Sequence, residues 1–150
     1  MDNSKYGKHI VQTLQLPARM TSNPERMVGY AKYAKRILWM DAQVVPGAFQ
    51  MNTSWYTGVP TEKTAENNQH SHNSDEIIGF FSGDPQNPND LGGEIEFWIE
   101  DEMHLITKTS MIFIPRGMKH CPLIIRRVDR PIFHYSVVTE GQYNWVTGQK

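Results

Sequence analysis

Apolar positions along this chain come in short runs that alternate with polar ones, and from Arg36 onward they predict strands rather than helices. The runs at 36–45 (RILWMDAQVV) and 48–59 (AFQMNTSWYTGV) are rich in branched and aromatic residues. Pro46-Gly47 separates them and Gly58-Val59-Pro60 ends the second, which is hairpin punctuation. Further on, Ile95, Phe97 and Ile99 share one parity and Glu94, Glu96 and Glu100 the other, the period of two expected of a half-buried strand. Residues 124–138 add two more strands around an Asp129-Arg130-Pro131 turn. The stretches at 60–69 and 84–93 read as connections, 99–102 as a polar hairpin tip, and 139–150 as an irregular tail. Many short strands with no long helical period between them predict an all-β sandwich or barrel.

The first 35 residues differ in texture. An apolar patch at Ile10, Val11, Leu14 and Leu16 meets a break at Pro17. Ser22 or Asn23 then stands as a cap before Pro24 and Glu25, predicting a short helix with Met27, Val28, Tyr30 and Tyr33 on its inner side. Residues 1–35 are therefore expected to form an arm packing on the barrel or on a partner subunit, and residues 36–150 the barrel itself.

Composition narrows the partners. The 150 residues carry 15 basic and 16 acidic side chains, a formal net charge of −1, so there is no broad cationic field for nucleic acid or an anionic membrane. A single cysteine, Cys121, makes no internal disulfide and no thiolate zinc cluster. The opening residues lack the apolar run of a signal peptide, and no stretch of the chain is apolar over membrane-spanning length. The expectation is a cytoplasmic protein acting on a small molecule, with neither nucleic acid nor membrane as partner.

The chemistry concentrates in HSHNSDE, residues 70–76. Residues two apart in a strand point to the same side, roughly 6.5 Å apart, so His70 and His72 aim at one point. Glu76 would lie too far away on a straight strand, but Asn73, Ser74 and Asp75 are turn formers that let it open the neighbouring strand facing the histidine pair. A fourth candidate follows in PRGMKHCP, where Pro115 and Gly117 build a bend and His120 begins a strand. Cys121, adjacent to it, is expected on the opposite face. His9, His104 and His134 read as surface or hydrogen-bonded histidines, and Trp39, Trp55, Phe80, Phe81, Phe97 and Trp98 as packing residues.

These residues resemble the two motifs of the cupin superfamily. The first has the form G-x5-H-x-H-x(3–4)-E-x6-G, met here by His70, His72, Glu76 and Gly83; the second, G-x5-P-x-G-x2-H-x3-N, is met by Pro115, Gly117 and His120. Thr64 and Thr109 stand where the opening glycines would be, and Ile124 where the closing asparagine would be; the likeness covers 36–138. The resemblance implies an all-β cupin double-stranded β-helix (jelly-roll) barrel with an N-terminal extension, and a homodimer.

It also implies one divalent transition metal per chain, held by His70, His72, Glu76 and His120. Such a nitrogen and oxygen set suits iron, manganese, nickel, cobalt or zinc. The expected function is a metal-dependent cupin enzyme of dioxygenase type acting on a small chelating substrate. The alternatives are a redox-neutral isomerase or lyase and a non-catalytic metal-dependent binder or sensor. Tyr56, Tyr135 and His134 are candidate bases. Arg116 and Lys119, flanking His120, are candidates for holding a substrate carboxylate, or else solvated charges on a bend.

Overall fold

A computed structural model describes residues 4–62, 64, 68–140 and 146–147. Two short helices, α1 (Ala18–Thr21) and α2 (Pro24–Ala31), precede ten strands among the described residues. These are β1 (Ala34–Met40), β2 (Gln50–Tyr56), β3 (His70–Ser71), β4 (Glu76–Ser82) and β5 (Asp90–Ile99), then β6 (Glu102–Lys108), β7 (Ser110–Ile114), β8 (His120–Val128), β9 (Ile132–Val138) and β10 (Val146–Thr147). Two five-stranded antiparallel sheets face each other, in the orders β1-β2-β9-β4-β7 and β10-β3-β8-β5-β6. This is a jelly roll, the double-stranded β-helix of the cupin fold. Among the described residues no helix is long and apolar enough to cross a membrane.

Alternation decides which side chains fill the space between the sheets. Along β9, Ile132, His134, Ser136 and Val138 are buried while Phe133, Tyr135 and Val137 are only partly so. Ile78, Phe80, Ile95, Phe97, Ile114, Leu123 and Ile125 join them in the core. Glu96 departs from the expected half-buried pattern, since it is buried on the outward side of β5. Its carboxylate accepts from Trp98 Nε1 at 2.6 Å and pairs with Arg126, which together cover it.

Other departures have local causes. Strand β5 starts at Asp90, within the stretch expected to be a connection, and buries Leu91. Part of the tail is not irregular: Val146 and Thr147 pair with Ser71 and His70, occupying a backbone edge that β3 would otherwise leave open. Between β5 and β8 the register passes from Ile99↔His120 to Phe97↔Leu123, so β8 holds one extra residue. That bulge, with Cys121 at φ 73°, turns Cys121 inward on the side of Leu123 and Ile125 instead of opposite His120.

The arm folds against its own barrel. Asn23 caps α2, its side-chain oxygen accepting from Arg26 N at 3.2 Å, with Pro24 in the first turn. Tyr30 donates its hydroxyl to Ser54 on β2 at 2.8 Å, and Tyr33 and Ala34 are core residues, whereas Val28, expected inward, is exposed. On the outer face of the first sheet, Met51, Ile77, Met111 and Phe113 are exposed apolar side chains.

Two glycines give opposite expectations. A Cβ on Gly83 would lie 2.4 Å from the Pro131 carbonyl oxygen, whereas one on Gly29, within α2, meets nothing within 4 Å. In urea titrations Gly83→Ala lowers stability by about 2 kcal/mol, and Gly29→Ala raises it by about 0.5–1 kcal/mol. Equal effects in the two variants would contradict this packing.

Candidate metal centre

The site begins with a cross-strand pair. His70 on β3 stands directly opposite His120 on β8, with ring centroids 4.5 Å apart. His72 lies just past the end of β3, its ring 5.0 Å from that of His70 and 5.1 Å from that of His120. One ring nitrogen of each histidine lies within 4.8 Å of the others, so these three buried histidines can hold a metal ion.

Glu76 arrives from the other sheet. The turn at 73–75 does reverse the chain, but it crosses between the sheets instead of forming a hairpin with β3. As the first residue of β4, Glu76 points inward and places Oε1 3.1 Å from His72 Nε2 and 3.0 Å from His120 Nε2. All four side chains are buried, with residue exposures of 8, 2, 2 and 1 % for His70, His72, Glu76 and His120.

Hydrogen bonds behind the rings define what the Nε2 atoms offer. His70 Nδ1 lies 3.0 Å from the Asn68 carbonyl oxygen and His120 Nδ1 3.1 Å from that of Met118. A carbonyl only accepts, so each Nδ1 carries the hydrogen, and in the neutral ring Nε2 is left with a lone pair. His120 then turns that lone pair toward a carboxylate oxygen at 3.0 Å, an acceptor against an acceptor. Positive charge resolves the conflict, either as a proton on the ring or as a bound cation. The residues present therefore fit a metal ion.

The bend that carries His120 is braced against the turn that carries Glu76. Gly117 N donates to the His72 carbonyl at 3.0 Å, and Arg116 N to Asp75 Oδ1 at 2.8 Å. Met118 N closes the bend onto Pro115 O at 3.0 Å, Gly117 adopts φ 82°, and Lys119 N donates to Glu100 Oε2 at 2.9 Å. The two motifs thus form one hydrogen-bonded unit. The bracing role of Asp75 and Glu100 was not read from the sequence, where Asp75 stood only as a turn former and Glu100 as a polar strand position; a carboxylate in a turn is too common to signal a brace.

A cavity of about 120 Å³ opens beside the cluster, with His70, Glu76 and His120 in its wall. His134 lines it too, stacked between Tyr56 at 4.9 Å and Phe80 at 5.0 Å, with Nδ1 3.1 Å from the Gly79 carbonyl. Tyr135 is different. Its parity on β9 places it on the outer face, where its ring packs over Gly79 and beside Phe81, so the candidate base Tyr135 is corrected to an outward packing residue. Arg116 and Lys119 are exposed on the bend and outside the cavity wall, the placement expected of solvated charges, the other reading of these two residues. Among the described residues the cations in the wall are Arg19, Arg26 and Arg36, two from the arm and one from β1, none of them singled out from the sequence.

No protein-family model matches this sequence, and no curated protein matches it. Solved structures do share its shape. Peruvianin-I, a cysteine peptidase from Thevetia peruviana latex, superposes with a TM-score of 0.50 at 10% identity, over 77% of this chain and 66% of that one. An oxalate oxidase in complex with the substrate analogue glycolate gives 0.48 at 16% identity over 77% of this chain. A protein from Klebsiella pneumoniae with a double-stranded β-helix domain gives 0.45 at 12% identity, over 77% of each. This chain spans about half, 54%, of the oxalate oxidase chain.

The topology of two facing five-stranded sheets defines the fold class. The protein has the cupin double-stranded β-helix fold, with three buried histidines able to hold a metal ion inside the barrel.

The buried groups make the metal-free protein sensitive to acid. Burial, then the neighbouring His120 ring, lowers His70 from 6.5 to about 4. For Glu76 burial acts to raise the carboxyl, but contacts with His120 and His72 outweigh it and bring it from 4.5 to about 2. In both cases the unfolded chain takes up a proton before the folded one does. The stability tied to His70 is thus complete above pH 6.5 and lost as pH falls toward 4, and that tied to Glu76 is lost between 4.5 and 2. With chelator present, urea titrations should show a loss of about 2 kcal/mol between pH 7 and pH 5. His70→Asn should flatten that interval; an equally steep decline in the variant would assign it to other groups.

Proposed function

We propose that the protein is a metal-dependent enzyme of dioxygenase type that acts on a small chelating organic substrate, an enolic or phenolic compound. The observation that carries this reading is the His120 Nε2 lone pair facing the Glu76 carboxylate at 3.0 Å in a buried site that borders a cavity. His70, His72, Glu76 and His120 would hold one divalent ion of iron, manganese, cobalt, nickel or zinc. Such an ion supplies Lewis acidity toward substrate oxygens and, where redox-active, a route for electrons to dioxygen.

The chain's own residues do the rest. The Asn68 and Met118 carbonyls fix the ring orientations of His70 and His120 and raise their basicity as ligands. Glu76 balances part of the positive charge from the opposite sheet. Tyr56 and Phe80 hold the His134 ring flat between them, and with Nδ1–H directed at Gly79 O its Nε2 is the atom suited to accept a substrate proton. The aromatic and aliphatic wall, including Trp39, Ile78 and Leu123, limits water around the reacting groups.

Elemental analysis of protein purified without added metal or chelator is expected to find about one transition-metal ion per chain. A His70→Ala, His72→Ala double variant should lose it, and a wild-type protein that stays metal-free after reconstitution would contradict the reading. Oxygen uptake with a panel of diketones and catechols then tests turnover. His134→Asn is expected to lower turnover roughly 10²-fold with metal content unchanged. Tight binding without product would make the protein a binder, and product without oxygen uptake an isomerase or lyase.

A further inference from the structure

Among the described residues, the cavity wall holds the guanidinium groups of Arg19, Arg26 and Arg36 and the carboxylate of Glu76, which is engaged with His72 and His120. Over the whole chain charge is nearly balanced, at −1, so the gathering of these three guanidinium groups is a local arrangement and not a consequence of composition. Anions are drawn to such a lined concavity.

Arg36 stands against two aromatic rings. Its guanidinium carbon lies 4.1 Å from the centre of the Tyr30 ring and 6.0 Å from that of Trp39, and among the described residues it has no ion-pair partner. Both rings are themselves anchored: Tyr30 donates its hydroxyl to Ser54 at 2.8 Å, and Trp39 Nε1 donates to Asp41 at 2.9 Å. Stacking on an aromatic face leaves the in-plane N–H fork of an arginine available, which is the geometry that grips a carboxylate with two hydrogen bonds. Arg19 on α1 and Arg26 on α2 are exposed, so they stand where the cavity meets solvent.

We propose that this cavity selects substrates that carry a carboxylate besides their chelating end, the carboxylate held by Arg36 and drawn in by Arg19 and Arg26 of the arm. The chelating end rests on the metal-site reading above; the carboxylate recognition does not. The arm thereby becomes part of the binding site and not only a cover for the barrel. Trp39 and Tyr56 lie in the same wall and give it an aromatic lining.

The test uses two isosteres, 3,4-dihydroxybenzoate and 3,4-dihydroxybenzamide, which share the chelating catechol and differ only in the charge at the other end. Calorimetric titration of the metal-loaded protein under argon should give binding of the benzoate at least about tenfold tighter than of the amide. Arg36→Gln should reduce that ratio to less than about threefold with metal content intact, while Arg36→Lys, which keeps the charge but not the fork, falls between. Arg19→Gln with Arg26→Gln should weaken benzoate binding and flatten its salt dependence, because screening acts on exposed charges.

Equal affinities in the wild type, no binding of either compound, or a ratio untouched in a folded Arg36→Gln variant would each overturn the proposal. If the protein takes up no metal, the enzyme reading fails by itself. The same pair is then titrated into metal-free protein by tryptophan fluorescence, where a surviving preference for the benzoate supports the arginine site and its absence removes it.

Discussion

A carboxylate buried from one sheet against imidazoles buried from the other is the interaction on which the interior depends. Glu76 approaches two ring nitrogens at 3.1 and 3.0 Å, with almost no exposure to water on either side. Burying a charge is costly unless it is paired, so the positive charge that this contact requires, a proton on the ring or a bound cation, ties the two sheets together at this point. Phe80 and Phe97, from opposite sheets, meet with ring centroids 6.2 Å apart and close the core beyond it.

The surrounding backbone is arranged to keep that contact in place. His120 sits beside a bend whose amides are spoken for by the His72 carbonyl and by Asp75 and Glu100, so displacing one motif strains the other. Thr109 shows how the chain accommodates a departure from the cupin pattern. Where that pattern has glycine, its hydroxyl donates to Pro88 O at 2.6 Å and accepts from Ser82 N at 2.9 Å, tying the end of β4 to the connection that follows. The side chain replaces conformational freedom with two hydrogen bonds. Gly83, by contrast, keeps its place because the Pro131 carbonyl occupies the space of a Cβ.

What was legible in the sequence follows from the range of each interaction. His70 and His72 could be paired from strand parity alone, and the helix cap narrowed to Ser22 or Asn23 from local backbone chemistry, because both are settled within a few residues; the structure selects Asn23. That Glu76 faces the pair was legible in the NSD turn; that it does so across the barrel was not, since sheet membership is set by pairing with β7 and β9. Cys121 was misplaced because one extra residue in β8 inverts the parity; Pro122, beside it, is the residue that could have marked the bulge, since a proline inside a strand is confined to edges, strand starts and bulges. The same limit separates His134 from Tyr135: adjacent residues on β9 differ in everything once the inward face is known, and only the register with β2 and β4 reveals it.

The three arginines were out of reach for a different reason. Each lies in a segment whose local pattern is that of an ordinary solvated helix or strand, and their convergence depends on where the arm docks. That docking rests on Tyr30 and Tyr33, one bonded to Ser54 and the other buried in the core, so the packing that seats the arm also brings Arg19 and Arg26 to the cavity that Arg36 lines. Rigid strands hold the groups that must keep fixed distances, the imidazoles and the carboxylate. The helical arm holds groups that act over longer range and tolerate looser placement, because Coulombic attraction falls off gradually where a ligand bond does not. Changes in the arm can therefore alter what enters the cavity while leaving untouched the cluster at its floor.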